Sequence, residues 1–441
     1  MTSLFHRRFH AGFALALGLA LALVSATAPT AFAEEPATKI AVNFRSALEA
    51  ALKQSEALKT QTSLIETAHW QKFAAGGTLL PSITASASQQ RAGAPDTDSK
   101  QYGLTANVNL FRGGADLHKL KSADNYLQAT KAGSDNTLLQ TEESAASDLL
   151  TVIYQKKHLE LLESSLNFEN RYFEIAQRKY KNGALALEQL DKIRIDRSNF
   201  EAEVRDAELA LTSAIARQRV WIENLEVSGD WPWLTDLRQE IVTAKYQKRL
   251  AKKSNDETLA ARPDVQSSIL TVSAQDQSRA AAKSLLYPEI DLQLFYGNHQ
   301  LDPSLDWSKA WASTITLTWP LFNGFKDYSS YRIANESYTI SNYNYELLRR
   351  QARSDIELSQ KNFLKSVQTA VDREKVVESS VRLMSATQHR FEIGHATADE
   401  LNLDQQRVIQ AEELVAKGWF DAHQSLIHFA HSRGVSAQAI Y

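Results

Sequence analysis

Two short clusters hold the side chains whose types and spacing could do chemistry. Asp399, Glu400 and Asp404 set three carboxylates within two helical turns, with Glu400 and Asp404 on one face at the i, i+4 spacing. Acids crowded like this repel one another, and a closed ring of them would admit cations and turn anions away. The same acids also suit the first turn of an ordinary solvated helix. His423, His428 and His431 form the second cluster. Spacings of five and three bring them toward one helical face, but metal ligation would need an acid or another histidine converging from elsewhere, so a surface or packing role is expected.

Enzymatic chemistry has little to rest on. There is no P-loop, no Gly-x-Ser-x-Gly elbow and no dinucleotide fingerprint. Cysteine is absent, which excludes disulfides, thiolate metal sites, a cysteine nucleophile and a lipid-modified N-terminal cysteine. The expectation is a protein that is no enzyme and holds no cofactor or metal. Any energy it uses must come from a partner.

Residues 1–33 read as a secretory signal peptide: Arg7 and Arg8 precede an apolar run from Ala11 to Val24 that closes on Ala31-Phe32-Ala33, with cleavage expected before Glu34. No later apolar run approaches the ~20 residues that a membrane-spanning helix needs. Without the first 33 residues, 47 basic residues face 52 acidic ones, a balance that does not suggest a nucleic-acid partner.

The elements that carry the acidic cluster are foreshadowed by a repeat. Leu110-Phe111-Arg112-Gly113 returns as Leu321-Phe322-Asn323-Gly324, and Tyr180-Lys181-Asn182-Gly183 with Leu190 returns as Phe391-Glu392-Ile393-Gly394 with Leu401, both at an offset of 211 residues. So strict a spacing suggests a rigid element of fixed length, used twice. All nine prolines lie outside 115–182, 184–228 and 325–393, and within those spans the only glycine is Gly133. Rich in Ala, Leu, Glu, Gln, Lys and Arg, the spans read as very long helices. At 1.5 Å per residue the longest approach ~100 Å, a length that belongs to a coiled coil or helical barrel.

Four segments switch to a period of two, the signal of a half-buried strand. Ile83, Ala85 and Ala87 alternate with Ser82, Thr84, Ser86 and Ser88; Leu104, Ala106, Val108 and Leu110 alternate with Thr105, Asn107 and Asn109. In the second half Ile290, Leu292, Leu294 and Tyr296 alternate with Asp291 and Gln293, and Ile315, Leu317 and Trp319 with Thr314, Thr316 and Thr318. Turn-rich bridges from Arg91 to Ser99 and from Gly297 to Ser308 make these two hairpins, with Phe295, Tyr296, Trp307, Trp311, Trp319, Phe111 and Phe322 gathered near the strand ends. Uncharged polar residues on one face, apolar ones on the other and aromatics at the ends describe a membrane β-barrel wall; a soluble hairpin with one wet face is the alternative. Four strands cannot close a barrel alone, and an open edge in hydrocarbon leaves backbone groups unpaired, so other copies must complete it. Three copies give twelve strands and a trimeric tube.

This layout of signal peptide, hairpin, long helix and tip glycine, repeated, resembles the TolC-like outer-membrane efflux family over essentially the whole mature chain. Its marks are Arg262-Pro263-Asp264-Val265, Pro81 and Pro288 before the strand pairs, the Leu-Phe-x-Gly closings and the two tip sequences. The resemblance implies an α+β membrane protein: a homotrimeric tube of long antiparallel helices topped by a 12-stranded transmembrane β-barrel, four strands per chain. It also implies a place in the outer membrane, in contact with its lipid, reaching into the periplasm. The expected partners are a periplasmic membrane-fusion adaptor and an inner-membrane transporter of RND, ABC or MFS type.

The expected organisation is a signal peptide over 1–33, a first repeat over 34–221 with its hairpin at about 82–112 and tip at 183, an inter-repeat segment over 222–262, and a second repeat over 263–441 with its hairpin at about 289–322 and tip at 394. By resemblance an adaptor docks at Gly183, Ala184, Leu185, Gly394, His395 and Ala396, and Asp399, Glu400 and Asp404 form the periplasmic gate, with Glu188, Gln189, Asp191 and Arg194 available as partners from the first tip. The family's gate tyrosine and arginine are replaced here by Phe391 and Ala396. In the inter-repeat segment Trp231 and Trp233 are expected to anchor packing, beside the basic run Lys245, Lys248, Arg249, Lys252 and Lys253. The expected function is the passive exit duct of a tripartite efflux pump. A type I protein-secretion duct keeps the fold and changes the cargo, and a non-conducting periplasmic scaffold or adhesin changes the class.

Overall fold

The structure, a computed structural model, describes residues 40–41, 44–90, 99–222, 225–226, 254–300, 307–393 and 395–439. The expected signal peptide over 1–33, residues 91–98 and 301–306, Gly394, and the stretch with Trp231, Trp233, Lys245, Lys248, Arg249, Lys252 and Lys253 lie outside the described residues. In chain order the elements are β1 (Ile40–Ala41), α1 (Phe44–Gln54), α2 (Glu56–Gly77), β2 (Ser82–Gln90), β3 (Ser99–Arg112), α3 (Ala115–Lys181), α4 (Leu187–Gln218), β4 (Leu225–Glu226), α5 (Asn255–Ala261), α6 (Pro263–Ser284), β5 (Glu289–Gln300), β6 (Ser308–Thr318), α7 (Lys326–Glu392), α8 (Ala398–Ser432) and a 3-10 turn at Ala437–Ala439.

Two of the proline-free spans are single continuous helices: α3 and α7 are each 67 residues long, and both ends of α7 fall 211 residues after those of α3. The described part of the span 184–228, by contrast, is helical over Leu187–Gln218 and has a short strand at Leu225–Glu226. Gly133, inside α3, has a packing reason, because a Cβ there would meet Ser267 Oγ at 3.4 Å. Without it Ser267 can approach closely enough to donate to the Ala129 carbonyl at 2.8 Å, drawing α6 onto α3. Helix and strand meet at a corner with two successive left-handed residues. In the first half these are Gly113 (φ 58°) and Gly114 (φ 83°); in the second they are Gly324 (φ 67°) and Phe325 (φ 65°). The same backbone is thus built once with two glycines and once with a phenylalanine, which bears the left-handed strain and packs edge-on against Phe322 at 5.5 Å.

The helices form one layer. In the half nearer the sheet α2 packs on α3, and α6 lies between α3 and α7; in the other half α4 packs on α3, and α8 lies between α3 and α7. Apolar seams, not a central core, join them: Phe363, Val367, Ala370, Trp419, Leu426 and Phe429 pair α7 with α8. A second seam sets Phe44 and Leu48 of α1 against Ala145 and Leu149 of α3 and Ile427 of α8. Outside the seams Trp70, Phe73, Ile333, Ile340 and Tyr343 remain exposed. Among the described residues no helix is long and apolar enough to cross a membrane.

Where α6 gives way to α8, charges of alternating sign bind the layer together. Arg262 is buried, with Pro263 opening α6 beside it; its guanidinium donates to Asp264, to Asp355 of α7 at 2.9 Å and to the Ser432 carbonyl of α8 at 2.9 Å. This is what the Arg262-Pro263-Asp264 sequence does: it staples three helices at one point.

The strands form one antiparallel sheet in the order β2-β3-β5-β6, so β3 and β5 join the two halves and β2 and β6 are left as open edges. Register aligns the alternation across all four strands. Ala85 pairs with Leu104, Leu104 with Tyr296 and Tyr296 with Trp311, while Thr84 pairs with Thr105 and Gln293 with Thr314. One face therefore carries apolar residues from edge to edge, with polar exceptions such as Asn298, Lys309 and Ser313, and the other is mainly polar. The apolar face is bare: Ile83, Leu104, Tyr296, Trp311, Ile315 and Leu317 are all more than half exposed. Phe295 departs from the alternation. It lies on the polar face above the Gly103–Gly297 pair, where an added Cβ would come within 2.8 Å of its ring.

Candidate functional site

The candidate site is the pair of helical tips at the end away from the sheet. The first is closed by a Schellman turn: Ala184 N–H donates to the Lys179 carbonyl at 2.8 Å, Gly183 N–H to the Tyr180 carbonyl at 2.9 Å, and Gly183 takes φ 72°. At the second tip His395 N–H donates to the Arg390 carbonyl at 2.7 Å, the bond equivalent to that of Ala184. The return helices start differently. Ala186 offers α4 no side-chain cap, whereas Thr397 accepts from Glu400 N–H and caps α8, with Asp399 and Glu400 in its first turn.

Gly183, Ala184, Glu188, Gln189 and Arg194 are exposed, as are His395, Asp399 and Glu400; Leu185, Asp191 and Ala396 are half-buried. Arg194 pairs with Asp191 at 2.7 Å, along one turn of α4. Glu400 and Asp404 are separated by burial: Glu400 is exposed, but Asp404 is only 6% exposed and turned into the seam between α7 and α8. There Asp404 Oδ2 accepts from Thr387 Oγ1 at 2.7 Å and Oδ1 from Arg407 at 2.5 Å, and Arg390 donates to the Thr387 hydroxyl at 3.0 Å. The reason lies in the repeat. Subtracting 211 from Asp404, Thr387 and Leu401 gives Ile193, Ala176 and Leu190, and those three residues form the apolar seam of the first tip.

The two tips are cross-linked through α3. Tyr172 OH donates to Asp399 at 3.2 Å, and burial together with that carboxylate pushes the phenol pKa up, so it stays a donor. Lys179 lies 5.6 Å from the Phe391 ring, a cation–π contact from the first tip to the second. One turn further from the tip Glu169 is 1% exposed in the α3–α8 seam. Burial raises its pKa to about 6; Gln406 offsets part of this and Asp196 adds to it. On α8, Asn402 Oδ1 and Gln405 Oε1 are buried without a hydrogen-bond partner among the described residues.

Residues 255–427, from α5 into α8, match the family described as outer membrane efflux protein. That match spans less than half of the chain, and the fold as a whole is similar to solved outer-membrane channels. A membrane protein from Pseudomonas aeruginosa superposes with a TM-score of 0.78 at 15% identity, covering 94% of this chain and 98% of that one. The CmeC outer membrane channel of Campylobacter jejuni gives 0.76 at 17% identity, with 92% and 90% covered, and the open state of the Neisseria gonorrhoeae MtrE outer membrane channel gives 0.74 at 17%, with 89% of each. No curated protein matches the chain in sequence at a significant level.

Within this fold, Tyr172, Glu169, Thr387, Arg390 and Arg407 are the tip residues that the sequence alone did not point to. Thr387 and Asp404 were findable, since the 211-residue offset lays both on apolar core positions. Tyr172 and Glu169 were not, because the helix they meet, α8, begins more than 200 residues further along the chain.

Proposed function

We propose that the chain is one third of a homotrimeric outer-membrane exit duct, through which an inner-membrane transporter expels substrate after docking, by way of a periplasmic adaptor, at the helical tips. The observation that carries this reading is the sheet: four strands with one face mainly apolar from edge to edge, the other mainly polar, and both edges open. In lipid the apolar face meets the acyl chains, the polar face lines water, and the open edges pair with those of neighbouring copies so that no backbone group is stranded. The single helical layer supports the same closure, since its exposed apolar positions gain cover only from further copies. Three chains give twelve strands continuous with a helical tube.

Gly183, Ala184 and Leu185, with Gly394, His395 and Ala396, form the docking surface, where small side chains allow close approach of an adaptor. Asp399 and Glu400, exposed at the start of α8, become acidic rings at the constriction, with Glu188, Gln189, Asp191 and Arg194 from the first tip beside them. Asp404 contributes from behind, by fixing α8 against α7. The test is to purify the mature protein from outer membranes, measure its oligomeric mass and record conductance in a planar bilayer. A trimer with small, defined conductance steps is expected; a soluble or non-conducting product would overturn the duct. In the same bilayers Glu400→Ala is expected to weaken cation selectivity and block by divalent cations.

A further inference from the structure

The histidine cluster acquires in the fold the acid that its sequence lacked. His428 and His431 are one helical turn apart on α8, and Glu143 of α3 meets both: His428 Nδ1 lies 2.8 Å from Glu143 Oε1, and His431 Nδ1 lies 2.6 Å from Oε2. One ligand atom from each residue falls within 4.8 Å of the others. His423 is not part of the group; it is buried beside Trp419 instead. From this convergence we infer that Glu143, His428 and His431 form a three-ligand site for one divalent transition-metal cation of the zinc class in each chain.

The donor set selects the metal. Two imidazoles and one carboxylate suit zinc, and likewise cobalt or nickel, whereas calcium and magnesium ask for oxygen ligands throughout. Zinc–nitrogen distances near 2.0 Å put tetrahedral ligands ~3.3 Å apart, so the two hydrogen-bonded nitrogen–oxygen pairs would open by roughly half an ångström around the ion, and any wider pair would close. The fourth position is open to water, because the His428 side chain is 47% exposed. A second layer is in place to hold the ligands. His428 Nε2 faces Asp355 Oδ1 at 3.3 Å, and Asp355 is itself held by Arg262 at 2.9 Å, which leaves His428 Nδ1 pointing at Glu143. Glu142, next to Glu143, is buried and accepts from Ala437 N–H at 2.9 Å, fixing that turn of α3.

Without an ion the same residues satisfy one another as ion pairs. His428 stands between Asp355 and Glu143, whose hydrogen bonds raise its pKa to about 10. At Glu143 burial pulls upward, but hydrogen bonds from His428 and His431 outweigh it and hold the carboxyl at about 2. Binding would tie α3 to α8 at the level where Arg262 staples α6 and α7.

The experiment uses tag-free mature protein, titrated with zinc chloride against a fluorescent chelator, with cobalt(II) visible absorption as the spectroscopic check. One ion per chain is expected, with the d–d bands of a four-coordinate nitrogen–oxygen site. His431→Gln and Glu143→Gln should each weaken binding by about tenfold or more. Asp355→Asn should weaken it by about 10 to 100-fold at unchanged stoichiometry, the loss typical of an outer-layer partner. Each variant is checked for helical content and oligomeric mass, and the wild-type titration stands whether or not a variant folds. Zinc binding weaker than about 1 mM, or binding that survives the His428→Gln/His431→Gln double variant, would overturn the site.

Discussion

The two helical tips share a backbone and differ in what fills it. In the first, Ala176, Leu190 and Ile193 close α3 onto α4 with apolar contacts that tolerate small shifts. In the second, the equivalent Thr387 and Asp404 close α7 onto α8 with directed hydrogen bonds, braced by Arg390 and Arg407. Apolar packing degrades gradually as helices slide, whereas a buried carboxylate holds its partners in one geometry and penalises any other. The difference teaches that the repeated scaffold fixes position and leaves the mechanical character of each tip to two or three side chains. If the tips open to widen the duct, they will open unequally.

The sharpest way to break this comparison is to put the second tip's acid into the first. Ile193→Asp buries a carboxylate between Ala176 and Leu190 with no donor opposite, which should cost ~3–5 kcal/mol. Hydrogen exchange at the amides of α4's first turns is the measurement, since it reads local opening without global unfolding. Exchange unchanged from wild type would mean that the tip already opens to water at Ile193, and that its seam contributes nothing.

The converse change has a smaller expected effect and a sign that depends on how it is made. Asp404→Ala alone strips Thr387 and Arg407 of their acceptor and should cost about 2–3 kcal/mol at the second tip. The double variant Thr387→Ala/Asp404→Ile restores the first tip's pattern, and should recover that loss or exceed wild-type stability, as apolar replacements of buried ionic groups often do. Exchange at the first turns of α8 separates the outcomes. A double variant no better than the single one would place the cost elsewhere in α8.

Much of this molecule was legible because its signals are local. Proline-free, helix-favouring spans announced α3 and α7, and a period of two announced the strands, since both depend on neighbours within a few residues. Asp404 was read as one of an exposed acidic pair because the i, i+4 rule fixes a shared face but not what that face meets. The information was present in the repeat, where position 193 is isoleucine. By contrast, nothing near His428 in the chain points to Glu143, 285 residues away, and nothing near Tyr172 points to Asp399. Phe295 broke the alternation for a reason visible only in pairing, the two facing glycines that it covers. Contacts made by folding at long range leave no local trace.

Acidity gives a subtler contrast between the tips, because Glu169 lies on the second tip's side of α3, against α8. Its pKa rises from the ordinary 4.5 to about 6 on folding. The folded state therefore holds this proton more tightly than the unfolded one. The resulting stabilisation is fully present below about pH 4.5 and is lost as pH rises through 6, an effect of about 2 kcal/mol per chain. Protection factors in the α3–α8 seam, which are free of the intrinsic pH dependence of amide exchange, should rise on acidification across that window, and Glu169→Gln should abolish that rise while protection in the α3–α4 seam of the first tip stays flat. A pH response that persists in Glu169→Gln would assign it to another group.

The smallest effect tests whether the tips' shared backbone matters by itself. Gly183 takes φ 72° with open space around its Cα, so an added methyl group meets no neighbour and the cost of Gly183→Ala is conformational only, about 1 kcal/mol. Phe325 shows that this fold accepts such a residue where side-chain packing compensates. Gly183 has no comparable contact, so the penalty should appear in full as faster exchange of Ala184 N–H, the donor that closes the turn onto Lys179. For the proposed duct, the same change separates two roles of the tip. If Gly183→Ala leaves single-channel conductance intact but weakens association with a periplasmic adaptor, the glycine acts by allowing close approach; if it alters conductance alone, the turn belongs to the gate.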